Sequence, residues 1–276
     1  MAQIRLVGID LDGTFLAPNG KPSAASLKAV SDCKKAGIPV CICTGRSLGQ
    51  IQDILAFNAE VDELCVVTNG ASIINWRTEE YVLHRRLDPE LVEPMLRALM
   101  ADCQSVPGRH FFVSGMFKTH VLRACANPNQ LSAWETMPGR VIHETIEEMI
   151  EASALDIQRI DYSVPFTDGP RVQELLMPIV PLDITTGDPR RLELVPKGIN
   201  KGEGLMHLAE HFGVPQESVM AIGDGWNDDS MIRWAGLGVA MGNAVPSLKA
   251  LADVICQTNE EDGFAKAIEE YVLCRK

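Results

Sequence analysis

Leu6-Val-Gly-Ile-Asp10-Leu-Asp12-Gly-Thr14 is the stretch on which the reading of the fold turns. Its first four residues are apolar throughout, as expected of a strand buried on both faces of a parallel sheet. Two carboxylates and a glycine follow at once. Ligands of open parallel sheets bind at the carboxyl ends of the strands, so the stretch predicts a site as well as a strand. Asp10 and Asp12 would project to one side of an extended chain, about 6–7 Å apart. That separation can flank one small group, with one carboxylate attacking and the other handling a proton. Asp12-Gly13 permits a tight turn that brings backbone N–H groups toward an anion. Taken alone, the same residues also suit an ordinary Asx turn.

Outward from this stretch the chain alternates strand and helix. Leu27, Val30 and Cys33 carry helical spacing over residues 23–36, which end at Gly37 and are followed by Pro39. Ile38–Cys43 reads as a second buried strand, 47–57 as a helix and Leu64–Thr68 as a third strand. The last third resumes the rhythm. Helices are expected over Lys201–Phe212, 227–235, 246–252 and 262–273, and strands over Val219–Ile222, Gly238–Met241 and Val254–Cys256. This is the pattern of an α/β, doubly wound parallel sheet. The middle differs. It offers an amphipathic helix over 89–102, an aromatic and β-branched hairpin over 110–123, and helices over Ile146–Glu151 and 170–177. Strands are expected there over 157–164 and Leu182–Thr186. The expected organisation is a core made of residues 1–84 and 191–276, interrupted by an α+β insertion over 85–190.

Composition narrows the function. The chain has 276 residues, 46% of them hydrophobic, which suits a full globular core. Its formal net charge of −12 disfavours gripping nucleic acid or anionic lipid by bulk electrostatics. No apolar run approaches the roughly 20 residues that span a bilayer, and the N-terminus does not read as a signal peptide. Eight cysteines are scattered without a C-x-x-C pair, as in a cytoplasmic protein with reduced thiols. The expected ligand is therefore small, with neither nucleic acid nor membrane as partner. The oligomeric state is not legible.

Three further loops carry candidate chemistry. Thr44-Gly45-Arg46 follows the second strand and places a hydroxyl and N–H groups where a phosphate oxygen could sit. Gly223-Asp224-Gly225-Trp226-Asn227-Asp228-Asp229 follows the strand at 219–222. Its clustered carboxylates repel one another unless a cation lies among them, and an all-oxygen ligand set points to magnesium rather than zinc. Lys201 opens a helix, and among acidic loops its charge could hold a carboxylate and a phosphate together. Each feature alone also suits a solvated turn or surface.

Their order is more specific. Asp10-x-Asp12-Gly-Thr, Thr44-Gly-Arg, a late Lys201-Gly and Gly223-Asp-x-x-Asn-Asp resemble the four motifs of the haloacid dehalogenase (HAD) superfamily. Thr68-Asn-Gly-Ala-Ser72 and Gly236-Leu-Gly-Val-Ala-Met-Gly-Asn243 strengthen the likeness, and the insertion resembles the large α/β cap of the Cof-type phosphatases. The resemblance implies a HAD-like core with an inserted α+β cap domain and a magnesium-dependent phosphatase acting on a small phosphorylated metabolite, a sugar phosphate or a nucleotide-related phosphate. It implies Asp10 as nucleophile and Asp12 as acid and base. Asp10, the Asp12 carbonyl, Asp224 and Asp228 would hold the metal, and Thr44, Gly45, Lys201 and Asn227 the phosphate. Two other functions stay open at this point: a phosphomannomutase-like phosphotransferase and a non-catalytic binder of phosphorylated ligands. Lys197 is a less suitable lysine than Lys201. His207-Leu-Ala-Glu210-His211 matches an inverted zinc-protease signature, but is expected to be a solvated helix face.

Overall fold

The structure is a computed structural model that describes residues 2–57, 60–126, 128–137, 139–153 and 156–274. Strand β1 (Leu6–Ile9) is buried along its whole length. Helix α1 (Ala24–Lys35) starts where the Ser23 hydroxyl accepts the Ser26 N–H, and Gly37 follows its end with φ of 72°. Strand β2 (Val40–Ile42), helix α2 (Leu48–Phe57) and strand β3 (Leu64–Val67) follow. β3 meets β2 through a parallel bridge, Cys43 to Val66, then turns back into an antiparallel sheet with β4 (Ser72–Asn75) and β5 (Tyr81–His84). The β4–β5 hairpin was not expected from sequence.

The inserted part contains α3 (Pro89–Ser105), β6 (His110–Ser114), β7 (Thr119–Leu122), α4 (Pro128–Thr136) and β8 (Arg140–His143). It continues with α5 (Ile146–Ser153), β9 (Arg159–Ser163), α6 (Gly169–Leu176), β10 (Leu182–Thr185) and β11 (Leu192–Pro196). Its six strands run in the order β10-β11-β9-β6-β7-β8. Alternate residues of these strands, such as Phe111, Val113, Ile160, Tyr162, Leu192 and Leu194, pack in one apolar core with α3 and α5. The remaining elements are α7 (Lys201–Phe212), β12 (Val219–Gly223), α8 (Asp229–Trp234), β13 (Leu237–Ala240), α9 (Pro246–Leu251), β14 (Val254–Ile255) and α10 (Gly263–Ile268). With β1 and β2 they build a five-stranded parallel sheet, β14-β13-β12-β1-β2.

The chain separates into two compact units. One gathers the residues up to Arg46, Ile51–His84 and the chain from Asn200 onward; the other gathers Arg85–Ile199 with Ser47–Gln50. The return to the core thus falls at Asn200, not at the expected 191. The reason is β11, which pairs antiparallel with both β9 and β10. Its alternating Leu192-Glu193-Leu194 buries both leucines in the core of the inserted unit.

Candidate active site

β1 and β12 are adjacent and parallel, so the loops that follow them emerge side by side. The Asp10 N–H donates to the Ile222 carbonyl at 3.0 Å, which extends the pairing by one residue and fixes Asp10 at the sheet end. α7 begins at Lys201, where the Asn200 side chain accepts the Glu203 N–H. That helix lies against β1 closely enough that a Cβ on Gly8 would come within 2.7 Å of Leu205. The approach delivers Lys201, 1% exposed, to the carboxylates. Its Nζ donates to Asp10 Oδ1 and to Asp228 Oδ1, each at 2.6 Å. The Asp228 Oδ2 in turn accepts the Asp224 and Gly225 N–H groups at 2.9 and 2.8 Å.

Asp224 is tied down separately. Its Oδ1 accepts the Thr14 hydroxyl at 3.1 Å and its Oδ2 lies 3.4 Å from Asn243 Nδ2, which also donates to the Gly13 carbonyl at 2.8 Å. Gly13 has φ of 81°, and a Cβ there would lie 2.2 Å from Asp224 Oδ2. Asp10, Asp224 and Asp228 each bring a carboxylate oxygen within 4.8 Å of the others. Three carboxylates face one ammonium. Burial pushes the Asp10 carboxyl up, with Asp228 and Asp224 adding to it against the pull of Lys201. Burial and Asp228 raise Asp224 to about 7. Burial alone would lower Lys201, but Asp10 and Asp228 outweigh it and keep the amine charged. The cluster is short of positive charge and offers hard oxygen donors, which fits a divalent cation such as magnesium.

Of the phosphate-binding candidates, Thr44 and Gly45 follow the strand paired to β1, and Asn227 lies in the Asp224–Asp228 loop. Thr44 is buried, its hydroxyl accepts the Arg46 N–H at 3.1 Å, and its N–H donates to Val66 at 2.9 Å. Asn227 Nδ2 donates to Asn69 Oδ1 at 3.1 Å. Asn69 and Thr68 hold φ of 56° and 53°, a conformation that costs energy for residues other than glycine and is typical of functional loops. Asp12 stands apart from Asp10. Its carboxylate is 56% exposed and takes a forked pair from Arg46, with Nε to Oδ2 at 2.8 Å. Arg46, Thr14, Asn69 and Asn243 were not among the expected site residues. The quoted motifs contain all four, but only the fold shows what they touch. Lys197 is exposed beyond β11. His207 contacts Glu210 at 3.1 Å, and among the described residues the metal-capable group is the aspartate cluster.

Comparison with known proteins matches a family model described as haloacid dehalogenase-like hydrolase over residues 7–268. The chain belongs to the haloacid dehalogenase-like hydrolases. A Bacillus subtilis relative, 5-amino-6-(5-phospho-D-ribitylamino)uracil phosphatase YcsE, is 32% identical over 98% of this chain and 96% of its own length. The putative phosphatase YxeH of the same organism is 28% identical over 98% and 99%. A solved haloacid dehalogenase-like hydrolase from Bacteroides thetaiotaomicron superposes with a TM-score of 0.80 at 28% identity, covering 97% and 99% of the two chains. The fold, a parallel-sheet core with a cap, is that of a HAD-type phosphatase, and members of this family generally use a divalent metal. No helix among the described residues is long and apolar enough to cross a membrane.

Proposed function

We propose that the chain is a magnesium-dependent phosphatase of small phosphorylated metabolites that works through an aspartyl-phosphate on Asp10. The observation that carries the reading is the buried contact of Lys201 with Asp10 and Asp228, with Asp224 alongside. Lys201 holds one oxygen of Asp10 and so orients the carboxylate for attack on phosphorus. The bond from phosphorus to the ester oxygen breaks as the bond to Asp10 forms. Asp12 protonates the departing oxygen, then takes a proton from the water that cleaves the acyl phosphate. To do so it must leave Arg46, which an exposed ion pair allows at a cost of about 0–1 kcal/mol. Thr44, the Gly45 N–H, Lys201 and Asn227 would bind the phosphoryl oxygens.

Asp10, the Asp12 carbonyl and Asp224 would hold the magnesium, with Asp228 supporting them. When bound, the ion offsets the repulsion between an anionic nucleophile and an anionic substrate. The inserted unit would serve as the cap that selects the substrate. A sugar or polyol phosphate, alone or joined to a heterocycle, is the favoured class. The name of the YcsE relative supports including the latter. The test is hydrolysis of an aryl phosphate with magnesium, compared with chelator and with Asp10→Asn. Both treatments are expected to abolish turnover, and activity that survives Asp10→Asn overturns the assignment of the nucleophile.

A further inference from the structure

The inserted unit contains a groove of about 620 Å³, lined by His110 and Phe112 of β6, Trp134 of α4, Arg140 of β8 and the Arg190–Arg191 loop. Its arginines differ in how they are matched. Arg190 is paired to Asp188, with Nη2 to Oδ2 at 2.8 Å. Arg191 faces Asp161 at 3.3 Å and Glu193 at 3.4 Å, and the neighbouring Arg159 donates to Asp161 at 2.9 Å. Arg140 differs in having no ion pair among the described residues, although Arg191 Nε, like Arg140 Nη1, is buried without a hydrogen bond. The Arg140 guanidinium lies 4.9 Å from the Trp134 ring centre and 5.6 Å from that of Phe112. Aromatic faces attract the charge but do not satisfy directed N–H donors. Its Nη1 is buried and has no hydrogen-bond partner among the described residues. Burial disfavours its charge and Arg191 adds repulsion, with Asp161 opposing both.

Among the described residues, Arg159 and Arg191 are set against Asp161 and Glu193, and Arg190 against Asp188, while Arg140 has no ion pair and feels Asp161 only at longer range. This local excess sits on a chain whose net charge is −12. A buried donor without an acceptor is destabilising, and a ligand oxyanion would supply the missing acceptor. We propose that this groove binds the carboxylate or phosphate group of a small organic anion, with Arg140 as its principal donor. The anion has two possible sources, the distal end of the enzyme's own substrate or a separate metabolite.

The test is a calorimetric titration of the metal-free 276-residue chain with citrate, which reads binding without turnover and does not depend on the catalytic reading. The wild type is expected to bind. Arg140→Gln is expected to weaken binding about tenfold or more. Arg140→Lys keeps the charge over Trp134 but loses the forked donors, and is expected to lose several-fold while staying folded. Citrate affinity equal to the wild type in the folded variants, or a wild type that does not bind, overturns the proposal. Hydrolysis of phenyl phosphate and 4-carboxyphenyl phosphate then separates the sources. A KM raised by Arg140→Gln for the carboxylated ester alone assigns the groove to the substrate's distal anion. An unchanged KM ratio with weakened citrate binding assigns it to a separate ligand.

Discussion

Replacing Lys201 by methionine tests the site's electrostatics directly. The methionine fills most of the volume, so the change isolates the charge. It leaves Asp10, 5% exposed, and Asp228, fully buried, without their shared cation. Breaking a buried ion pair by removing one partner costs about 3–5 kcal/mol, because the remaining charge is buried alone. For a unit of this size that corresponds to a fall in thermal midpoint of roughly 6–20 °C. Urea unfolding of the metal-free protein, followed by a probe in the parallel-sheet unit, measures the loss near pH 7. The pH dependence carries a sign. Asp10 is already raised by burial and by Asp228 and Asp224, and losing Lys201 raises it further. Below that raised value and above the ordinary carboxylate value, the folded variant binds more protons than the unfolded chain. Its stability therefore rises as the pH falls toward about 4, and the gap to the wild type narrows in acid. Asp10→Asn combined with Lys201→Met removes one stranded charge, so the double variant should be less destabilised than the sum of the singles. A Lys201→Met protein within about 1 kcal/mol of the wild type at neutral pH, with additive double-variant energies, would refute the reasoning.

Arg46→Gln releases Asp12 from an exposed pair, so stability should change by no more than about 1 kcal/mol while kcat rises up to about fivefold. A raised KM in steady-state kinetics would instead place Arg46 on the substrate. Gly13→Ala puts a Cβ at a positive φ and 2.2 Å from Asp224 Oδ2. It should lower the thermal midpoint and weaken magnesium binding by titration; unchanged values for both would contradict the described turn. In the inserted unit, His120 Nδ1 and His143 Nε2 lie 3.0 Å apart. Burial, with His143 and Lys118, lowers His120 to about 4. Between that value and the ordinary 6.5 the unfolded chain holds the extra proton, so stability present above pH 6.5 is lost as the pH falls toward 4. The limit is about 3 kcal/mol, and roughly half of that after solvent screening. His120→Gln should flatten that limb of the stability profile.

The candidate site is legible in the sequence where position and chemistry coincide. Asp10 and Asp224 each directly follow a short apolar strand, Thr44 lies two residues beyond another, and Lys201 starts a capped helix. The readings were weaker where the local signal was mixed. Leu192-Glu193-Leu194 carries a period-two pattern, but the strand closes the inserted sheet rather than opening the core. Ser72–Asn75 and Tyr81–His84 form a hairpin whose second strand is mostly exposed, so it lacks the apolar alternation that marks strands. The matched charges of Arg159, Asp161, Arg191 and Glu193 lie on three neighbouring segments and have no local signature at all.

By itself the sequence determined the alternation of strands and helices, the family likeness, and which loops bear carboxylates and the lysine. These are local properties, set by hydrophobic period, caps and turn residues within a few positions. Only the tertiary structure decided that Asp12 rests on Arg46, that Lys201 bridges Asp10 and Asp228, and that Arg140 Nη1 has no acceptor among the described residues. Those outcomes depend on distances between residues 27 to 191 positions apart for Lys201 and 34 apart for Arg46. Parallel pairing of β1 with β12 and the close approach of α7 set the Lys201 contacts, the pairing of β1 with β2 sets that of Arg46, and no local pattern encodes which charges finish buried together.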